Sequence, residues 1–380
     1  MKTPVCDLLG IEFPLLAFSH CRDVVAAVTN AGAFGVLGAM RYDADELEAA
    51  LRWIDERVGG KPYGVDVIVP QRYEGKGEEL DPEALASRIS DAHWQFLERV
   101  LAEHGLEGIW NREVAVASSR ASGLFSDANV DALLDVAFSH PIRLIANALG
   151  PAPARLIELA GKHGVPCAGL VGAPEHAVRQ VQAGVDVVVA SGYEAGGHTG
   201  EIGTIVLVPE VIAAVGGSVP VLAAGGIVTG RQMAAGLALG AAGVWTGSVW
   251  LTTHEAETSA FVREKMLRAS SRDSVRSRAR TGKPARQLRS AWHVAWEGPD
   301  SPGTLRMPLM GMLGGEALER IESAAEGGHE GARELASYYV GQGVGLMTSA
   351  KGAGKVVQDF MEDFAEAFAS IEGALAEEVS

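Results

Sequence analysis

Residues 187–200 read VVVASGYEAGGHTG, an apolar run that breaks into glycines and ends in His198 with Thr199 and Gly200. An imidazole is neutral or cationic near pH 7, so at such a place it could take a proton or stabilise an anion. Further on come VPVLAAGGIVTG and LGAAGVWTGS, two more apolar runs that close on glycines. Gly225-Gly226 lets a backbone approach a ligand and aim N–H groups at it, and Thr229-Gly230 opens a helix whose N-terminus favours an anion. Thr246, Gly247 and Ser248 add two hydroxyls and more free amides. Two such loops side by side form a cradle for a dianionic phosphate. The plainer reading is that these glycines relieve crowding at a barrel rim. Glu194 could orient a neighbour, or it is simply an exposed loop carboxylate.

These loops need elements to carry them. Eight short Val/Ile/Leu/Ala runs, over 14–18, 34–37, 63–69, 142–146, 166–171, 186–190, 220–224 and 243–246, are apolar on both faces. That is how strands of a covered parallel sheet read. Amphipathic segments lie between them: 45–58 carries Leu47, Leu51, Ile54 and Val58 at helical spacing, and 153–163, 174–183 and 229–239 behave similarly. Pro151, Pro153 and Pro174 stand near helix starts, where proline is tolerated. Repeated βα units in this number predict an α/β fold, a (β/α)8 TIM barrel, with phosphate loops after its last strands. An open doubly wound sheet shares the alternation, but no GxGxxG follows the first strand. The barrel is expected over 1–254, interrupted by a helical insertion at about 71–126. A helical extension over 255–380 packs on it as a substrate lid. It holds a basic run, 272–289, and an amphipathic tail, 356–375. The run could cover the mouth, contact a second subunit, or merely be solvated.

With 380 residues, a formal net charge of −16 and a pI near 5.1, the chain lacks the basic surface that nucleic-acid binding requires. Three scattered cysteines, Cys6, Cys21 and Cys167, suggest neither disulfides nor a metal site. The first residues lack the apolar stretch of a signal peptide, and 202–228 is interrupted by prolines, glycines and Glu210, so no membrane span is expected. The expected location is the cytoplasm. A homo-oligomer is compatible with the sequence.

The segments AGVDVVVASGYEAGGHTG, VPVLAAGGIVTG and LGAAGVWTGSVWL, together with CDLLGIEFPLL, VTNAGAFGVLGA, YGVDVIVP and GQGVGL, resemble the nitronate monooxygenase (2-nitropropane dioxygenase) family of FMN-dependent barrels. The resemblance runs through most of 5–255. It implies FMN, with Gly225, Gly226, Trp245, Thr246, Gly247 and Ser248 at its phosphate. It also implies Gly196 and Gly197 bordering the flavin and His198 as the catalytic histidine. Asp66 and Ser191 fall where the family often has amide side chains on the flavin ring. The chain departs from the family after its first strand, where Ala17-Phe18-Ser19-His20-Cys21 replaces an Ala-Pro-Met-like turn. Trp245 and Asp66 stand where glutamine and asparagine are common. His20 and Cys21 thereby become substrate-side candidates, although a helix start with ordinary packing would also explain them.

The implied activity is oxidation of nitronates, the anions of nitroalkanes, with O2 as co-substrate. Alternatives are an NAD(P)H-dependent FMN oxidoreductase acting on quinones or enoyl- or acyl-CoA thioesters, and a phosphate-binding barrel without redox work.

Overall fold

The computed structural model describes residues 2–69, 82–121 and 127–376. Parts of the expected insertion, 71–81 and 122–126, lie outside the described residues. Eleven strands occur among the described residues: β1 (Leu15–Ser19), β2 (Phe34–Gly38), β3 (Gly64–Val67), β4 (Ile145–Asn147), β5 (Cys167–Val171), β6 (Val187–Ser191), β7 (Gly197–His198), β8 (Val221–Ala224), β9 (Gly243–Thr246), β10 (Ser274–Ser277) and β11 (Ala285–Leu288).

Eight of them close a parallel barrel in the order β1-β2-β3-β4-β5-β6-β8-β9, with β9 returning to β1 through Leu15↔Val244 and Ala17↔Thr246. The fold class is the α/β barrel expected from the strand runs. Side chains alternate across each strand. Leu16, Phe34, Val36, Leu144, Ala168, Val187, Val189 and Leu222 point inward and fill the barrel. Leu15, Val65, Val188, Ala223 and Val244 point outward into the layer shared with the helices. Covering both faces explains why these strands read as unbroken apolar runs, each fully buried Val or Leu contributing about 1.5–3 kcal/mol.

The surrounding helices start and stop where local chemistry dictates. Ala44–Val58 begins on a capping box, in which the Asp43 side chain accepts from the Glu46 amide, and it ends at Gly59 in the left-handed region. Ala353–Ala376 lies on the outside of the barrel against Arg22–Asn30 and Gly230–Ala238. At Gly230 the fit is so close that a β-carbon would overlap the Phe360 carbonyl.

Two features go beyond the expected barrel. Helices of the insertion and of the extension share one core, in which Trp94, Phe96 and Leu97 pack with Trp292, Trp296, Leu313 and Ile321. The basic run forms an antiparallel hairpin of β10 and β11, and β11 adds β7 as a third strand through Ala285↔His198 and Arg286↔Gly197. The glycine loop after β6 is therefore partly a strand.

Candidate active site

The loops after β8 and β9 hold the glycines read as an anion cradle. Gly225 and Gly226 take φ of 109° and 71°, a region that side-chain-bearing residues rarely adopt. Their carbonyls are turned away and satisfied. The Ala224 carbonyl accepts from the Gly192 amide at 2.9 Å, that of Gly225 from Thr204 Oγ1 at 3.0 Å, and that of Gly226 from Gln232 Nε2 at 2.8 Å. In a trans peptide the N–H points opposite to the C=O, so the amides of Gly225 and Gly226, whose peptide carbonyls both approach Thr204 Oγ1, point away from it. Among the described residues the amides of Gly225, Gly226 and Gly247 donate to no backbone carbonyl. Convergent free amides of this kind form an anion-binding concavity.

Sequence reasoning missed the residues that hold this geometry. Thr204 is itself fixed by Glu194, whose Oε2 accepts from its amide at 2.9 Å and lies 2.8 Å from its hydroxyl, so the one hydroxyl proton is shared between that carboxylate and the Gly225 carbonyl. Glu194 is thus a brace for the loops. Ser248 Oγ accepts from the Gly341 amide at 2.8 Å, which ties the second loop to the GQGVGL segment. Thr246 donates its hydroxyl to the Leu16 carbonyl at 2.9 Å and accepts from Trp250 Nε1 at 3.0 Å. Its side chain is therefore committed to the wall. The Trp245 indole points into the barrel and stacks on Phe18, with ring centroids 6.3 Å apart.

At the mouth, Asp66 and Ser191 share the inward face with their register partners Ala146 and Ala224. Asp66 is buried and its Oδ2 has no hydrogen-bond partner. Burial pushes its carboxyl well above the usual carboxylate range. Gly196 lies against Gly341, where a β-carbon would stand 2.9 Å from the Gly341 nitrogen, while Gly197 takes φ 76° and leaves open space beside it.

His198 is exposed on one side and held on the other. Thr281 Oγ1 lies 3.0 Å from His198 Nε2 and 3.2 Å from the Lys283 carbonyl; with its proton on that carbonyl it accepts from Nε2–H and leaves Nδ1 the lone pair. Crowding by protein, and then the Lys283 charge, hold the imidazole down at about 4, neutral at pH 7. The basic hairpin fixes the loop around it. Arg286 Nε donates to the Tyr193 carbonyl at 3.0 Å and its guanidinium lies 4.4 Å from the Tyr193 ring. Arg276 Nε donates to Thr199 Oγ1 at 3.2 Å. Arg286 is fully buried and its Nη2 lacks a partner. The run read as a cover, a contact or a solvated segment is a clamp on the histidine loop.

His20 and Cys21 part company. A β-carbon on the inward-facing Gly38 would stand 2.6 Å from His20 Nδ1, so the His20 ring lies over the mouth beside Phe18. Its Nδ1 is 3.0 Å from the Gly38 carbonyl, which can only accept, so Nε2 carries the lone pair. Burial lowers its basicity, partly offset by that bond. Cys21 instead starts helix Arg22–Asn30 and turns outward, its thiol donating to the Glu255 carbonyl at 3.0 Å. The expectation of a substrate-side thiol is corrected by that orientation. Cys21, Asp23 and Glu257 bring their ligand-type atoms within 4.8 Å of one another.

A cavity of about 450 Å³ opens between the phosphate loops and the C-terminal helix, lined by Val228, Thr229, Val249, Leu346 and Phe360. Gly225, Gly226, Gly247, His198, Asp66 and Ser191 do not line it, so it lies apart from the barrel mouth. No helix among the described residues is long and apolar enough to cross a membrane.

The family model for nitronate monooxygenase matches residues 2–363. A Mycobacterium tuberculosis protein described as a candidate monooxygenase is 52% identical over 375 residues, covering 98% of this chain and 99% of that one. The solved nitroalkane oxidase of Streptomyces ansochromogenes superposes with a TM-score of 0.78 at 26% identity, covering 97% and 99% of the two chains. FabK of Thermotoga maritima does so with a TM-score of 0.72 at 28% identity, covering 98% and 99%. The protein belongs to the nitronate monooxygenase family and is an oxidoreductase of its flavin-dependent kind.

Proposed function

We propose that this protein oxidises nitronates with O2, using bound FMN. The carrying observation is that one barrel mouth joins an unpaired amide cradle, at Gly225, Gly226 and Gly247, to a histidine with a free basic nitrogen. The cradle fits a phosphate dianion: its carbonyls are tied back and its donors are left over. The orphaned Asp66 Oδ2 and the inward-facing Ser191 fit the polar edge of a ring system over an otherwise apolar wall. FMN would be held by the Gly225, Gly226, Gly247 and Ser248 amides, with Gly196 and Gly197 at its border, and it would supply the electron-accepting chemistry.

The chain's own residues do the rest. His198, neutral at working pH, offers Nδ1 to the α-proton of a nitroalkane and so raises the population of the anion that reacts. Lys283, whose charge depresses His198, favours an anionic substrate beside it. Arg276 and Arg286 fix the loop, and the stacked Phe18–Trp245 pair closes the barrel below the mouth and excludes water.

A second reading keeps FMN and replaces O2 with NAD(P)H, acting on quinones or CoA thioesters. The basic hairpin at the rim supports a polyanionic partner, and the likeness to FabK supports the same reading.

Anaerobic stopped-flow separates the two. Loss of the yellow absorbance on mixing with a nitronate, and none with NADH or NADPH, is the expected result. Rapid bleaching by a nicotinamide with the nitronate inert would overturn the first reading in favour of the second.

A further inference from the structure

We propose that Asp66 works as a neutral carboxylic acid, donating its O–H to the ring of the bound cofactor. The inference rests on the FMN reading above and concerns how this chain serves the cofactor with an aspartate where an amide side chain is common.

The geometry leaves the carboxyl few alternatives. In β3, Val65 and Val67 face the helices, so Asp66 faces the barrel interior. Its register partners are Gly38 on β2 and Ala146 on β4, neither of which offers a side-chain donor. It is 4% exposed, and it is the one buried aspartate among the described residues. Around it the inner wall is apolar, formed by Phe18, Val36, Ala146, Leu170 and Trp245. The titratable side chain over Gly38 is His20, whose Nδ1 proton is committed to the Gly38 carbonyl. Among the described residues no ion pair includes Asp66, and Arg276 and Arg286 of the hairpin donate to Thr199, Tyr193 and Ser274.

An ionised carboxylate in such a place would be uncompensated, and burial favours its protonated form. A protonated carboxyl presents one donor and one acceptor on the same planar group, the pattern an amide offers. It also avoids placing a negative charge beside a ring that gains electrons. The departure from the common asparagine is then conservative in hydrogen bonding and in charge.

The test uses the holoenzyme labelled with 13C at aspartate side-chain carboxyls. Infrared difference spectroscopy at pH 7 should show one protonated-carboxyl C=O band, because Asp66 is the one buried aspartate among the described residues. Asp66→Asn should abolish that band and leave the flavin midpoint potential, and its dependence on pH, unchanged. Asp66→Ala should weaken FMN binding about tenfold, the effect of one lost hydrogen bond.

The inference is overturned if the labelled wild type shows only carboxylate bands, or if Asp66→Asn raises the potential, as removing a negative charge would. The wild-type spectrum alone decides the protonation state should the variants fail to fold. A protein that never retains flavin would defeat the FMN reading, while the C=O band of the flavin-free protein would still report on Asp66.

Discussion

The two ends of the barrel treat polar groups in opposite ways, and β3 spans the difference within a few residues. At its start, on the N-terminal end, Tyr63 donates its hydroxyl to Asp55 Oδ1 at 2.7 Å. His140, just ahead of β4, bridges Asp55 Oδ2 at 2.6 Å and Glu48 Oε2 at 2.9 Å. Nearby, Asp186 accepts from the Cys167 amide at 2.8 Å. At the other end of the same strand Asp66 Oδ2 is buried without a partner, and among the described residues the glycine amides across the mouth donate to no backbone carbonyl. One end is saturated, and the other keeps its hydrogen bonds for something not yet there. Buried polar groups are nearly always paired, so leftovers clustered at one end point to a ligand. Barrel enzymes keep chemistry at the C-terminal face and stability at the N-terminal one.

The sharpest way to break the contrast is to fill the cradle. At Gly225 the ideal β-carbon lies 2.6 Å from Thr204 Oγ1, with φ at 109°. Gly225→Val should therefore abolish flavin retention, read as the ratio of visible to ultraviolet absorbance of the purified protein. The positive φ strains any side chain there, so the urea midpoint should fall as well, and flavin content is read on the folded fraction. A fully yellow Gly225→Val protein would show that the cradle is not the phosphate site.

Next in size is His198→Asn. Removing the free Nδ1 base should lower kcat/KM for a neutral nitroalkane on the order of 10²-fold, while a pre-formed nitronate loses much less. The sign of the pH dependence follows from the neutral form being active. Activity attributable to His198 should be flat from pH 8 downward and fall only as pH drops through about 4. A fall centred near the ordinary histidine value of 6.5 would mean that the ring is more solvated than its surroundings indicate.

At the saturated end the expected effect is on stability alone. His140→Ala removes the ring that joins Asp55 to Glu48, each of which keeps another partner in Tyr63 and Arg52, and should lower the urea midpoint modestly. Flavin content and kcat of the folded fraction should stay at the wild-type level. Loss of flavin at unchanged stability would erase the distinction between the two ends.

The barrel was legible because burial on both strand faces leaves continuous Val/Ile/Leu runs, and the glycines after β6, β8 and β9 mark where those runs reach the mouth. The braces were not legible. Thr204 and Gln232 act by donating to carbonyls and Glu194 by accepting from the Thr204 amide; the loop context offered Glu194 as an orienter of a neighbour but not which neighbour. The hairpin was hidden for a related reason. β7 is two residues long, and its partner in β11 lies far along the chain, so no alternation could reveal the pairing. Composition gave Arg276 and Arg286 the look of surface charge, whereas their guanidiniums are spent on backbone and ring contacts. The His140 bridge joins Glu48 and Asp55, about two turns apart on one helix, to a ring 85 positions beyond Asp55, and left no motif at all.

The smallest predicted effect separates two neighbours that the sequence could not tell apart. His20 closes over Gly38 at the mouth, and Cys21 turns into the layer between barrel and helices. Cys21→Ser can keep a donor to the Glu255 carbonyl. It should shift stability by less than about 1 kcal/mol, with kinetics unchanged. His20→Gln keeps volume and a donor for Gly38 but removes the lone pair on Nε2. It should raise KM a few-fold while leaving the urea midpoint close to wild type. Steady-state kinetics on the pair decides which side of β1 faces substrate. Equal insensitivity would leave His20 a packing residue held by Gly38 and Phe18. A kinetic effect confined to Cys21→Ser would instead move the substrate to the outer side of β1, which the inward stacking of Phe18 on Trp245 argues against.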